Sequence, residues 1–170
     1  STSLQRKLLD RELRQPLETS LVAEDGVSAA SLALAFEELL GGGSALLPLL
    51  QPHAQRLASL IKGLTLHPVA QLLLTAAQTA RPEHYAHAVA AMALNGALMA
   101  AGGGDDAAVR LALLCGLLHD VREMYIGPEH GEAEADRDLD FASYQQLVVH
   151  PHVGSLLLAQ LTNYPADVAR

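Results

Sequence analysis

Runs of leucine and alanine, broken by glycine or proline clusters, constrain the fold of this chain more than any other feature. Half of its residues are hydrophobic and only 4% are aromatic. Leucine and alanine are strong helix formers, whereas strands favour aromatic and β-branched residues. No stretch of useful length alternates between apolar and polar residues, which is the pattern of a half-buried strand. The sequence therefore predicts an all-α fold.

Glycine, proline and capping residues divide the chain into predicted helices. Ser28 is placed to cap the first, and the three glycines at 41–43 end it. The segment 107–118 is apolar on almost every side, which is typical of a central helix. The predicted helices cover residues 28–40, the stretch between Pro52 and Gly63, 68 to about 80, 82 to about 101, 107–118, 141–150 and 153–162.

The charge distribution excludes some partners. The formal net charge is −8, and basic residues cluster only near the start of the sequence, so we expect no binding to long nucleic acids. A small anionic substrate is compatible with this charge if bound metal ions supply positive charge locally. The longest stretch without Asp, Glu, Lys or Arg, residues 84–104, contains histidines, an asparagine and glycines, which make it a poor membrane span. We therefore expect a cytoplasmic protein that is not membrane-bound.

The lone cysteine and the histidines differ in what they suggest. Cys115 is the single cysteine of the sequence, so an intramolecular disulfide is excluded. Because leucines surround it, Cys115 is predicted to be a buried small apolar residue.

The sequence has eight histidines, and one of them, His119, precedes Asp120 at the end of the apolar helix. Rigid structure would then present both side chains to a cavity.

Two further features can bring ligands to the same place. Glu83 and His87 are spaced four residues apart, so they lie on one face of a helix. His150 stands at the start of a later helix, from which its side chain can point inward. Carboxylate and imidazole ligands suit iron or manganese better than structural zinc, which favours thiolates. One or two such divalent ions would activate water for phosphoester hydrolysis.

These motifs, in this order and spacing, resemble the HD superfamily. The matching residues are Glu83, His87, the run Leu117-Leu118-His119-Asp120, and His150-Pro151-x-x-Gly154. His87 lies 32 residues before His119, and His150 lies 31 residues after it. The likeness covers residues 80–170 and is greatest to the HD-GYP branch, whose active members hydrolyse cyclic di-GMP.

The resemblance implies an HD-type helical bundle over residues 81–170, preceded by a helical N-terminal, regulatory region over residues 1–80. It implies that Glu83, His87, His119, Asp120 and His150 are metal ligands. Asp120 would bridge two ions, and His119 and Asp120 would be the catalytic residues. The expected function is that of a metal-dependent phosphohydrolase acting on a cyclic dinucleotide or another small phosphoester.

The sequence departs from the family pattern after Asp120. The family has glycine and then a phosphate-binding lysine, whereas this chain has Val121, Arg122 and Glu123. Arg122 is the candidate substrate-binding residue in place of that lysine. The later His-His-Glu and Gly-Tyr-Pro motifs are absent, so we expect the HD-type domain to be incomplete at its C-terminus.

Other interpretations remain open from the sequence. The chain could be a catalytically degenerate, HD-like signalling or scaffold module, or another HD phosphohydrolase that acts on nucleotides. Glu83 could be a first-turn acid favoured by the helix dipole, and His87 and His150 could be core histidines with structural partners. Whether the chain forms a homo-oligomer is also open.

Overall fold

The computed structural model describes residues 26–121, and all regular structure among them is helical. No strand is present in this part of the chain, so the predicted all-α class is confirmed. The helices are α1 (Ala29–Gly41), α2 (Leu47–Leu50), α3 (Ala54–Lys62), α4 (Pro68–Ala80), α5 (Pro82–Ala101) and α6 (Asp106–Leu118), with a 3₁₀ turn (Gln51–His53) between α2 and α3.

The first helix begins and ends at residues that the sequence marks. The backbone N–H of Ser31 donates to Ser28 Oγ at 3.2 Å, and the N–H of Ser28 donates to Ser31 Oγ at 2.8 Å. These reciprocal hydrogen bonds satisfy backbone donors that a helix start otherwise leaves without partners. The helix ends at Gly41, and Gly43 then adopts a φ of 68°, a conformation that favours glycine.

The later helices also begin where the sequence predicts. Pro68 and Pro82 each open a helix, at the position where a missing N–H is tolerated. Asp105 caps α6 by accepting a hydrogen bond from the Ala108 N–H at 2.8 Å. The helix therefore begins at Asp106, one residue before the predicted start. The α2 helix and the 3₁₀ turn occupy the proline-marked entry to α3.

A single hydrophobic core joins the helices on both sides of the predicted boundary at residues 80 and 81. Phe36 of α1, Leu57 of α3, Leu74 of α4, Met92 of α5 and Leu113 of α6 are all fully buried in it. Within residues 26–121, the predicted N-terminal region and the start of the predicted HD-type domain therefore pack together.

The α5 and α6 helices are antiparallel and cross closely, because glycines face the partner helix at two places. A Cβ atom on Gly96 would lie 2.6 Å from Leu113 Cδ2, and one on Gly116 would lie 2.5 Å from the backbone oxygen of Ala91. Real Cβ atoms do not approach other atoms so closely. This crossing brings the N-terminal half of α5 beside the C-terminal end of α6.

The burial of Cys115 and the length of the helices bear on two further predictions. Cys115 is half-buried, rather than fully buried as its leucine-rich surroundings predict. None of the helices in the described range combines the length and the apolar character needed to cross a membrane.

Candidate metal centre

Three of the predicted ligands meet where the start of α5 lies beside the end of α6. His87 stands in the second turn of α5. His119 is the C-cap residue of α6 and keeps helical backbone angles, with φ −59° and ψ −38°. Asp120 follows directly, so two neighbouring residues present their side chains at one helix end. Together His87, His119 and Asp120 form a group whose ligand atoms could hold one metal ion.

The potential ligand atoms are close together. His87 Nε2 lies 3.3 Å from His119 Nε2 and 3.3 Å from Asp120 Oδ2. His119 Nε2 lies 2.6 Å from the same carboxylate oxygen. The two imidazole rings are tilted by 46°, with centroids 5.3 Å apart. The rings are therefore not stacked, and their Nε2 atoms point toward a common location.

The orientation of the His119 ring is fixed by its other nitrogen. Nδ1 lies 2.8 Å from the carbonyl oxygen of Gly116, one turn earlier in α6. A carbonyl only accepts, so Nδ1 carries the proton and donates it. Nε2 donates its own proton to the Asp120 carboxylate in the metal-free protein. An ion that displaced this proton would meet the Nε2 lone pair of a ring already oriented through Nδ1, which is the arrangement found for histidines that bind metals through Nε2.

These spacings fit a metal ion with one adjustment. Ligand atoms about 2.1 Å from an ion are separated by roughly 3.0 Å at a right angle and roughly 3.4 Å at a tetrahedral angle. Both 3.3 Å separations that involve His87 fall in this range. The 2.6 Å contact between His119 and Asp120 is a direct hydrogen bond, and it must lengthen for an ion to bind both atoms.

The side chains of this group are partly exposed to solvent. The side chains of His87, His119 and Asp120 are 61%, 39% and 32% exposed. A catalytic metal needs a coordination position that the protein leaves to water or substrate, whereas a structural metal is enclosed. The exposure of this group favours the first kind of site.

The pKa of Asp120 is lowered from its ordinary value. The main cause is the hydrogen bond from His119, and the positive charge of protonated His119 and His87 acts in the same direction. Partial burial opposes the shift but does not outweigh it. Asp120 is therefore a carboxylate over the whole neutral range, as a metal ligand must be.

This lowered pKa predicts how acid affects the metal-free protein. A carboxyl group with a folded-state pKa below its unfolded value stabilises the fold above the unfolded pKa, and this contribution is lost as the pH falls through the folded value. Between about pH 5 and pH 2, wild type should lose more free energy of unfolding than Asp120→Asn. Urea unfolding over this pH range measures the difference. Equal losses in the free energy of unfolding for the two proteins would contradict the prediction.

The other predicted site residues are not brought into this group. Glu83 is on the first turn of α5 with an exposed side chain, and its carboxylate lies 3.7 Å from His84 Nε2. It is not part of the cluster that His87 forms, so its role as a ligand stays a prediction. His150 and Arg122 lie outside the described residues, and their predicted roles as ligand and substrate contact stay predictions too.

Gly116 contributes to the site in a way that sequence reasoning missed. Its carbonyl orients His119, and its lack of a side chain permits the close crossing of α5 and α6. The sequence does contain a signal for this role, because a glycine interrupts the otherwise apolar run before His119. Glycine is unfavourable in a helix interior, so its presence there indicates close packing. The contact with Ala91 could not be read from the sequence.

Comparisons of this chain with protein-family models, with curated proteins and with solved structures find no match.

Proposed function

We propose that this chain is an HD-type, metal-dependent phosphohydrolase domain that cleaves a phosphodiester, with a cyclic dinucleotide as its substrate class. The observation that carries the proposal is the approach of His87 to the His119–Asp120 pair, within 3.3 Å, although 32 residues separate the two histidines. The resemblance in the sequence links these same residues.

Within this proposal, His87, His119 and Asp120 hold a divalent ion, iron or manganese. Two imidazoles and a carboxylate, without a thiolate, form a ligand set that suits these ions. When bound, such an ion lowers the pKa of water and neutralises charge on phosphoryl oxygens. A second ion requires further ligands, and Glu83 and His150 are the candidates.

The residues of the chain have separate tasks in this scheme. His87 and His119 supply neutral nitrogen ligands from two different helices, and Gly116 keeps the His119 ring in position. Asp120 has one oxygen, Oδ2, near both imidazoles, which leaves its other oxygen for a second ion or a water molecule. The exposed side of the group is where the phosphodiester would enter.

The charge and location of the protein are part of the proposal. With a net charge of −8, the chain as a whole does not attract an anionic substrate, so attraction must come from the site itself. Arg122, next to the described residues, is the candidate for a direct phosphate contact. We infer a cytoplasmic protein that acts on a small phosphoester and binds neither membranes nor long nucleic acids.

A substrate panel tests this function. Protein loaded with Mn²⁺ or Fe²⁺ under anaerobic conditions should hydrolyse cyclic di-GMP and the model diester bis(p-nitrophenyl) phosphate. Chelator should stop the reaction, and added Mn²⁺ should restore it. Turnover of nucleoside mono- or triphosphates alone would instead identify another HD phosphohydrolase. Metal-loaded protein that hydrolyses none of these compounds would contradict a catalytic role.

A catalytically degenerate signalling or scaffold module is the second candidate. The observation in its favour is Val121, which occupies the position of the family's glycine and is fully buried. The following positions carry arginine and glutamate instead of the family's lysine. This candidate predicts that a cyclic dinucleotide binds to the metal-loaded protein without being cleaved, which calorimetry together with product analysis would detect.

A further inference from the structure

We propose that Gly116 is a positioning residue of the metal centre, which sets the distance between the His87 and His119 imidazoles. This inference rests on the metal site of the proposed function but not on the reaction that the site catalyses. Gly116 touches neither the ion nor the substrate. It acts through the helix crossing and through the ring of His119.

The first argument is the absence of a side chain at Gly116. A Cβ atom there would lie 2.5 Å from the Ala91 carbonyl oxygen, 2.8 Å from its carbonyl carbon and 2.8 Å from Asn95 Nδ2. The atoms of Ala91 belong to the backbone of α5 and cannot rotate away. Alanine at position 116 must therefore move α5 and α6 apart.

That movement would act directly on the ligands. His87 lies one turn before Ala91 in α5, and His119 lies about one turn after Gly116 in α6. Because the helices are antiparallel, the contact between Ala91 and Gly116 lies about one helical turn from each of the two histidines. About 1 Å of separation would take the 3.3 Å spacing of the two Nε2 atoms beyond the roughly 3.0–3.4 Å expected of neighbouring ligands on one ion, so metal binding would require the side chains to rearrange.

The second argument is the carbonyl group of Gly116. It accepts the hydrogen bond from His119 Nδ1 at 2.8 Å, which fixes both the ring orientation and the nitrogen that remains available to a metal. A shift of the α6 backbone at residue 116 would disturb this bond as well. Gly116 thus permits the close approach of the two helices beside the ligands and also orients one ligand.

Gly96 provides a matched control within the same interface. A Cβ atom on Gly96 would also clash, but with the Leu113 side chain at 2.6 Å and the Leu57 side chain at 3.1 Å. Gly96 lies nine residues from His87 along α5, which corresponds to roughly 13 Å. Alanine there should disturb core packing without changing the metal ligands.

The experiment compares Gly116→Ala with Gly96→Ala in the full chain. Affinity for Mn²⁺ and Co²⁺ is measured by competition with a chelator, and stability by urea unfolding of the metal-free proteins. Both variants should unfold at lower urea than wild type. Gly116→Ala alone should lose about 10- to 100-fold in affinity, the effect typical of disturbing groups that support metal ligands. Equal affinities for the two variants would overturn the proposal.

A readout that needs no metal separates this inference from the proposed function. In ¹⁵N-histidine-labelled, metal-free wild type and Gly96→Ala, NMR should find the His119 proton on Nδ1 and short contacts between the two imidazole rings. These ring contacts should be lost in Gly116→Ala. Wild type that binds no metal but keeps the ring contacts would refute the metal site. It would leave intact only the role of Gly116 in setting the distance between the two imidazoles. If Gly116→Ala does not fold, wild type with Nδ1 unprotonated would still overturn the proposal.

Discussion

His119→Ala should lower the affinity for Mn²⁺ or Fe²⁺ by at least about 100-fold, because loss of a ligand costs more than loss of a group that supports one. His119 contacts both other members of the group: its Nε2 lies 3.3 Å from His87 Nε2 and 2.6 Å from Asp120 Oδ2. Phosphodiester hydrolysis should fall with metal content. Elemental analysis after loading and desalting, combined with the rate of diester turnover, measures both effects.

His53→Ala is the control for this substitution. His53 also stands at a helix end, but its side chain makes no capping hydrogen bond and it is not part of the metal-binding group. It should retain the metal content and turnover of wild type. Unchanged metal affinity in His119→Ala would mean that the His87–His119–Asp120 group does not form the metal site.

Leu113→Ala should have the largest effect on stability, lowering the free energy of unfolding by about 2–5 kcal/mol. Leu113 of α6 is fully buried, and its side chain faces Gly96 of α5, where an added Cβ atom would lie 2.6 Å from Leu113 Cδ2. Removing its side chain leaves a cavity that rigid neighbouring helices fill only partly. Because residue 113 is six positions from His119, roughly 9 Å along the helix, metal affinity of the folded protein should remain close to that of wild type.

Leu114→Ala provides the matched comparison. Leu114 is the next residue on the same helix and is only partly buried against the core. Its replacement should cost clearly less stability, since less apolar surface returns to water. Urea unfolding of the two variants tests this order. Equal losses, or a loss of metal affinity in folded Leu113→Ala, would contradict the described packing.

The helix boundaries could be predicted because local signals determine them. Ser28, Pro68 and Pro82 act within one turn of their own position, through a side-chain cap or a missing N–H. Such effects do not depend on the rest of the fold, so one sequence is enough to find them. The short α2 helix and the 3₁₀ turn were harder to predict, because prolines are compatible with several kinds of turn.

The candidate site was only partly predictable. The proximity of His87 to His119 and Asp120 followed from family-like spacing, and the described residues confirm that these three come together. Glu83 shares a helix face with His87 by its four-residue spacing, yet its carboxylate is near His84 instead. The spacing of two residues along a helix fixes the directions of their Cα–Cβ bonds. The position of a flexible carboxylate depends in addition on the rotation of its side-chain bonds.

The role of Gly116 could not be predicted for a different reason. A glycine in an apolar helix signals close packing, but the sequence does not identify the partner helix or the atoms in contact. The contact with Ala91 depends on the crossing of α5 and α6, which the whole core determines. Long-range packing of this kind appears only in the folded structure.

The central claim is that residues 87, 119 and 120 bind one metal ion at the junction of α5 and α6. A crystal structure of the Mn²⁺-loaded protein, with diffraction data collected at the manganese absorption edge, tests it most directly. We predict an anomalous peak within about 2.0–2.3 Å of His87 Nε2, His119 Nε2 and an Asp120 carboxylate oxygen. Anomalous density elsewhere, or none at this junction in fully loaded protein, would contradict the claim.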